Sequence, residues 1–444
     1  MNVSNGIYTI ADTKVFGWVT LPWTVKQVRL MALADKAFWN NDNFNSSFFI
    51  KAKQLCVKLA ARKTQLNKKK ITILNTEHGA MYGNEDGVLI TPRLSFNSVL
   101  THEMVHSFHI GHSYSDRKIA IFPFAHMGEY GDRYDLMSTS NAWMYKSQYG
   151  LSGPGLNGPH LDYLGWLPSN RILYFGSSII RLSSLSISHA QSNDWLLVML
   201  PFDKNDPANV FTLEFRTPIN YDSGIKQEAV VIHKIDRKGT TYYSTIITHS
   251  KDYDEMMVGT EWVHFLEQDS PEVYPVIKVR VERIDKQRQV AVLQINSTFN
   301  PIKPNKISCR STRKQRHLKD EMNSSHIQNE GETVRILPPE QNGFFKDLVT
   351  FGMNACNNGY VWRMIDPYDY ACVTKNRQQE IRYQRKVGNP SGICRKPLML
   401  RKAFPSDTAC VTQTEFVIIQ KENAEMHKNM KYHSFFNGEE TVVP

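Results

Sequence analysis

Residues 101–112 read THEMVHSFHIGH, and their types and spacing suit metal-assisted hydrolysis. His102 and His106 are four residues apart, so on a helix both imidazoles leave one face and can converge on one ion. Glu103 stands beside the first and can hold and deprotonate a water without binding the ion itself. Zinc suits imidazole, and takes three protein ligands where a fourth position stays open for water. His112 supplies the third. A straight helix would carry residue 112 about 15 Å along its axis from residue 102. The chain must therefore turn after residue 108. At this composition a chance His-Glu-x-x-His falls in roughly one such chain in forty, and in about one in a thousand once His112 is required. That outweighs the plain alternative, a helix with solvated or core-satisfied histidines.

Two other residues compete for the third position. His109 stays on the face of His102 only if the helix continues. Glu129 lies 23 residues after His106, in the manner of thermolysin-like sites, but in a Gly-flanked segment, MGEYGD. Asp132 and Asp135 can bind calcium, although turn-capping suits them better. Neither His126 nor His160 has partner spacing, and both read as structural.

The elements that must position these groups follow from pattern. Apolar residues at helical spacing mark 24–40 and 48–62. ITIL (71–74) and GVLIT (87–91) read as strands around a Gly/Asn-rich loop. GVLITP (87–92) is either an edge strand open to an extended substrate or an interior strand. NSVLTHEMVHSFHI (97–110) is a helix with Asn97 as its N-cap. From 168 to 298 short strands alternate with turns, which predicts a β-rich domain. Residues 299–340 are polar and read as a linker. A cysteine module and tail fill 341–444.

The pattern resembles the metzincins, HExxHxxGxxH followed by a Met-turn, and more narrowly the gametolysin-type metallopeptidases. GVLITPRLSFNSVLTHEMVHSFHIGHS (87–113), GEYGDRYDLMS (128–138) and NGPHLDYLGWLP (157–168) carry the likeness, which covers about residues 20–170. It implies an α+β catalytic domain over 1–167, with a twisted sheet and an active-site helix. It also implies one catalytic zinc on His102, His106 and His112, Glu103 as general base, and Met137 as the Met-turn beneath the zinc. The family hydrolyses peptide bonds in extracellular proteins. One residue departs from the family pattern: His109 stands where the family has Gly. That position takes positive φ, which costs a non-Gly residue about 1 kcal/mol or more. Gly111 could instead move the turn by two residues.

Cysteine placement defines the C-terminal module. CNNGYVWRMIDPYDYACVT (356–374) repeats as CRKPLMLRKAFPSDTACVT (394–412). Four cysteines permit three pairings. The repeat favours Cys356–Cys372 and Cys394–Cys410, one staple per copy, worth roughly 3 kcal/mol each in the loop-entropy account. A four-Cys zinc site competes, but usually shows pairs two to four residues apart.

Net charge is +10. Residues 299–444 hold +7 of it, with 22 basic against 15 acidic residues. That bias suits acidic surfaces or an ordinary Lys-rich surface. No run reaches the roughly 18 apolar residues of a membrane span. No signal peptide is legible in the first thirty residues, so either the protein is not secreted or its true N-terminus lies outside this chain. Asn2, Asn45, Asn296 and Asn323 are glycosylation acceptors by motif. The expectation is a secreted zinc endopeptidase with a protein or peptide substrate and no nucleic-acid partner. The alternative is an inactive peptidase scaffold whose C-terminal module binds an extracellular surface or polysaccharide. Oligomeric state is not legible.

Overall fold

The computed structural model describes residues 4, 13–35, 44–62, 69–76, 81–84, 87–117, 119–123, 125–174, 178–203, 209–238, 241–248, 254–266, 276–299, 356–357, 359–363, 365, 369, 371–384, 394–403, 407 and 409–429. These form a mixed α and β fold with several sheets. Helices α1 (Val25–Ala34) and α2 (Phe44–Ala61) come first. Thr24 and Gln27 close a capping box on α1, which satisfies backbone N–H groups that a helix start leaves open. A small sheet follows, from β1 (Lys70–Ile73), β2 (Met81–Asn84) and β3 (Gly87–Ile90), in the order β1-β3-β2. β3 is the interior strand and every residue of it is buried, which accounts for its unbroken apolar run. Of the two readings of GVLITP, the interior one holds, and β2 forms an edge.

Helix α3 (Asn97–His106) stops at His106 rather than at residue 110. Phe96 takes the cap position expected of Asn97. The Asn97 amide instead donates to Ser152 Oγ at 3.0 Å. That serine lies on the hairpin of β5 (Tyr145–Ser147) and β6 (Gly150–Ser152), after the short β4 (Tyr114–Ser115) and before α4 (Gly158–Tyr163).

The strands expected after residue 168 form two sheets. β4 joins β7 (Ile172–Tyr174), β9 (Leu197–Pro201), β10 (Val210–Arg216), β11 (Ala229–Lys238), β12 (Thr241–Ile246) and β13 (Glu255–Met256) in one. The other holds β8 (Ser178–Ser183), β14 (Glu261–Phe265), β15 (Val276–Asp285) and β16 (Val290–Ser297). Val198, Phe211, Leu213, Ile277, Val279 and Leu293 share the core between them, each worth roughly 1.5–3 kcal/mol of burial. Alternation along β10 sends Phe211, Leu213 and Phe215 into that core and Thr212, Glu214 and Arg216 to the opposite face, yet all are buried. On that second face Arg216 donates to both Asp222 oxygens, at 2.9 and 2.7 Å, to Glu214 at 2.9 Å and to the Tyr134 carbonyl at 2.7 Å. The division expected at residue 167 therefore runs through one core. Leu136, Met137, Leu161 and Leu164 pack with Leu197 and Met199, and β4 pairs with β12.

The C-terminal repeat folds as hairpin then helix, twice. β17 (Tyr360–Trp362) and β18 (Cys372–Thr374) precede α5 (Lys375–Gln384). β19 (Met399–Leu400) and β20 (Cys410–Val411) precede α6 (Gln413–Glu425). The cysteines pair Cys356–Cys372 and Cys394–Cys410, as the repeat favours. Arg363 forks onto Asp369 at 2.9 and 3.0 Å, and Arg401 onto Asp407 at 2.8 and 2.9 Å. That is why Arg and Asp recur at the same offset in both copies. Ile381 and Ile419, one from each helix, meet in one small core. Asn296 is exposed on β16, whereas Asn2, Asn323, the Asn45 side chain and the expected linker beyond Phe299 lie outside the described residues. Among the described residues no helix is long and apolar enough to cross a membrane.

Candidate metal centre

Three expected ligands converge. One nitrogen each from His102, His106 and His112 lies within 4.8 Å of the others, and no other such group of His, Cys, Asp or Glu occurs among the described residues. His102 and His106 leave α3 one turn apart, with their Nε2 atoms 3.0 Å apart. His109 then reverses the chain. Its φ of 62° is left-handed, and its N–H still reaches the His106 carbonyl at 3.0 Å. The turn therefore sits at residue 109, where the metzincin pattern has a glycine, and Gly111 has no positive φ. His is among the residues that tolerate this region best.

Each imidazole is tied at Nδ1. His102 Nδ1 donates to the Leu136 carbonyl at 3.0 Å, His106 Nδ1 to the Ile110 carbonyl at 2.7 Å, and His112 Nδ1 to Glu129 Oε1 at 2.6 Å. A carbonyl or carboxylate oxygen can only accept, so the proton sits on Nδ1 and each Nε2 keeps its lone pair. Burial pushes all three pKa values down, His106 to about 4. Three neutral imidazoles facing one point fit a tetrahedral ion, which at 2.0–2.1 Å per bond would hold its donors roughly 3.4 Å apart. Glu103 is 4% exposed, and burial pushes its carboxyl up to about 8.

Glu129 is no ligand here. Its Oε1 braces His112, and its Oε2 accepts the His126 N–H at 2.7 Å. Nor is His109 part of the converging set. Met137 is fully buried beside Val105 and Leu136, and its carbonyl accepts the Ser113 N–H at 3.3 Å. The 135–138 turn thus holds His102 through Leu136 and the chain after His112 through Met137. Asp132 and Asp135 do more than cap turns. Asp132 takes the Tyr134 N–H at 2.9 Å, Asn157 Nδ2 at 3.3 Å and His233 at 3.0 Å. Asp135 takes Ser113 Oγ, the Asn157 N–H at 3.2 Å and His160 Nδ1 at 2.7 Å. Protein donors thus occupy the oxygens that calcium would need. His160, expected to be structural, is a buried partner of Asp135.

Tyr130 is the residue that spacing did not reveal. Its hydroxyl donates to His112 Nε2 at 3.0 Å, and its ring lies 4.1 Å from the His112 ring. Its φ is 60°, held by its N–H on the Ser113 carbonyl and by Asn141 Nδ2 on its own carbonyl. Burial, then the Glu129 and Glu103 carboxylates, raise its pKa, so the hydroxyl keeps its proton. Its only sequence signal is its place beside Glu129 in EYGD. Set against protein-family models, curated proteins and solved structures, the chain matches none.

Proposed function

We propose that this chain is a zinc-dependent endopeptidase acting on extracellular proteins. The observation that carries the reading is the three Nδ1 atoms tied to acceptors while three Nε2 lone pairs converge beside a buried Glu103. His102, His106 and His112 would hold the zinc, which when bound supplies Lewis acidity toward the scissile carbonyl and the attacking water. Glu103 accepts the water proton and passes it to the leaving amine, a role favoured by burial, which makes its carboxylate a stronger base than an exposed one. The Tyr130 hydroxyl, already a donor into the Nε2 cluster, stabilises the developing oxyanion. β2 offers an edge for an extended peptide. Its Gly83 packs against the Glu103 backbone, where a Cβ would lie 2.1 Å from the carbonyl oxygen. Secretion suits the two disulfides.

Casein hydrolysis and zinc content, measured on the parent and on Glu103→Gln, test this. The expected outcome is about one zinc per chain in both and hydrolysis by the parent alone. Zinc in both without hydrolysis would move the chain to the inactive-scaffold reading. No zinc in either would remove the metal centre.

A further inference from the structure

A cavity of about 520 Å³ opens at the start of α3. The β5–β6 hairpin, Asn97, residues 186–188 and residues 220–221 line it. None of the converging histidines reaches it. No Asp, Glu, Lys, Arg or His lines it, in a chain whose net charge is +10. Three tyrosines line it, Tyr145, Tyr149 and Tyr221, the last with its hydroxyl donated to the Leu185 carbonyl, together with three amides, Asn97, Gln148 and Asn220. Four serines and one isoleucine complete the wall.

A Cβ at Gly155 would lie 2.5 Å from the Tyr221 ring, and one at Gly153 3.1 Å from the Tyr145 ring, so glycine lets both rings lie against the chain. Asn97 spends Nδ2 on Ser152 Oγ at 3.0 Å, and Asn220 spends Nδ2 on the Ser186 carbonyl at 2.9 Å. Each amide oxygen is left as an acceptor. Among the described residues the Tyr145 hydroxyl has no hydrogen-bond partner. Tyr149 stands at the rim, 66% exposed.

This lining selects by exclusion and by match. An ion would shed water and gain no opposite charge. A purely apolar ligand would leave the Tyr145 hydroxyl and the Asn97 and Asn220 amide oxygens unpaired. A ring with neutral hydroxyls on its edges and C–H groups on its faces satisfies both kinds of group. Hydroxyls donate and accept as the amides and phenols do, and C–H faces stack on tyrosine rings. The volume lies within the usual range for small-ligand sites, roughly 300–1,000 Å³. We infer that this cavity binds a neutral oligosaccharide. The inference does not depend on peptide hydrolysis, and its test reads binding alone.

The full chain is titrated calorimetrically with cellotriose, mannotriose and xylotriose, and with a heparin tetrasaccharide as the anionic control. At least one neutral trisaccharide binds saturably. Tyr149→Ala and Gln148→Ala, both at exposed positions, each weaken it by about tenfold while the thermal midpoint stays put. Binding of no neutral trisaccharide at millimolar concentration overturns the inference. So does binding that neither substitution weakens, which would place the sugar elsewhere. Preference for the heparin tetrasaccharide overturns it as well.

Discussion

Tyr130 and Glu129 act on the same imidazole from opposite sides, one at Nε2 and one at Nδ1. Their removal should therefore separate. Tyr130→Phe keeps the ring packing against His112 and deletes only the donor. It should leave zinc content unchanged and lower kcat by about 10²-fold with little change in KM, the pattern of a group used only in the transition state. Steady-state kinetics on a peptide substrate would show it, and a rise in KM alone would refute it. Glu129→Ala instead frees the His112 ring, so zinc affinity should fall by about 10–100-fold in chelator competition. At this scale the sequence reveals the three converging histidines and the buried Glu103, because His102, Glu103, His106 and His112 lie within one short motif. Tyr130 stays hidden, and Glu129 reads as a rival ligand rather than a brace, because their contact with His112 exists only after the chain has turned twice, at His109 and at Tyr130, both with positive φ.

Among the elements, α3 shows what pattern can and cannot reveal. Its apolar spacing continues to residue 110, yet the helix ends at His106 because His112 must return to the first turn's face. Lys69 secures that end, donating to the Ser107 carbonyl at 2.8 Å and lying 4.0 Å over the Phe108 ring. A cation at a helix C-terminus is favourable. The cost falls on His109, whose left-handed φ a glycine would adopt freely. His109→Gly should therefore raise stability by about 1 kcal/mol without loss of zinc, read as a higher thermal midpoint. A lower midpoint would mean that the His109 side chain contributes more than its backbone costs. Gly83→Ala makes the opposite case. Its Cβ would strike the Glu103 backbone carbonyl, so β2 must shift from α3. Hydrolysis should fall even with zinc bound. Whether β3 was edge or interior could not be read locally, since burial on both faces and an edge position can share one apolar run.

At the scale of the whole molecule, the two halves expected to part at residue 167 hold each other. The signal for this was present but unreadable. Glu214 and Arg216 look like the solvent face of a β-strand, and only the fold shows them buried against Tyr134, Asp222 and the Gly158 N–H. The same burial governs how the protein meets acid. His106, His109 and His189 all have pKa values lowered to about 4, chiefly by desolvation. Between about pH 4 and 6.5 the unfolded chain binds protons there that the folded chain refuses. Stability from these groups is therefore full above 6.5 and is lost as pH falls toward 4. Buried and half-buried carboxyls oppose this. Asp254 is raised to about 6, Asp162 to about 7 and, in metal-free protein, Glu103 to about 8, so each contributes stability at low pH that fades as pH rises through those values. The total slope mixes both signs, so a single group must be isolated. His189 suits this, because it is 6% exposed and lies outside the metal centre, with Arg171 on its carbonyl at 2.9 Å. His189→Gln removes one refused proton. Between pH 7 and pH 4 the parent should lose on the order of 3 kcal/mol more than the variant. Thermal midpoints of the two, taken across that range, should therefore approach or cross as the solution is acidified. Parallel curves would mean that His189 titrates alike in the folded and unfolded chains.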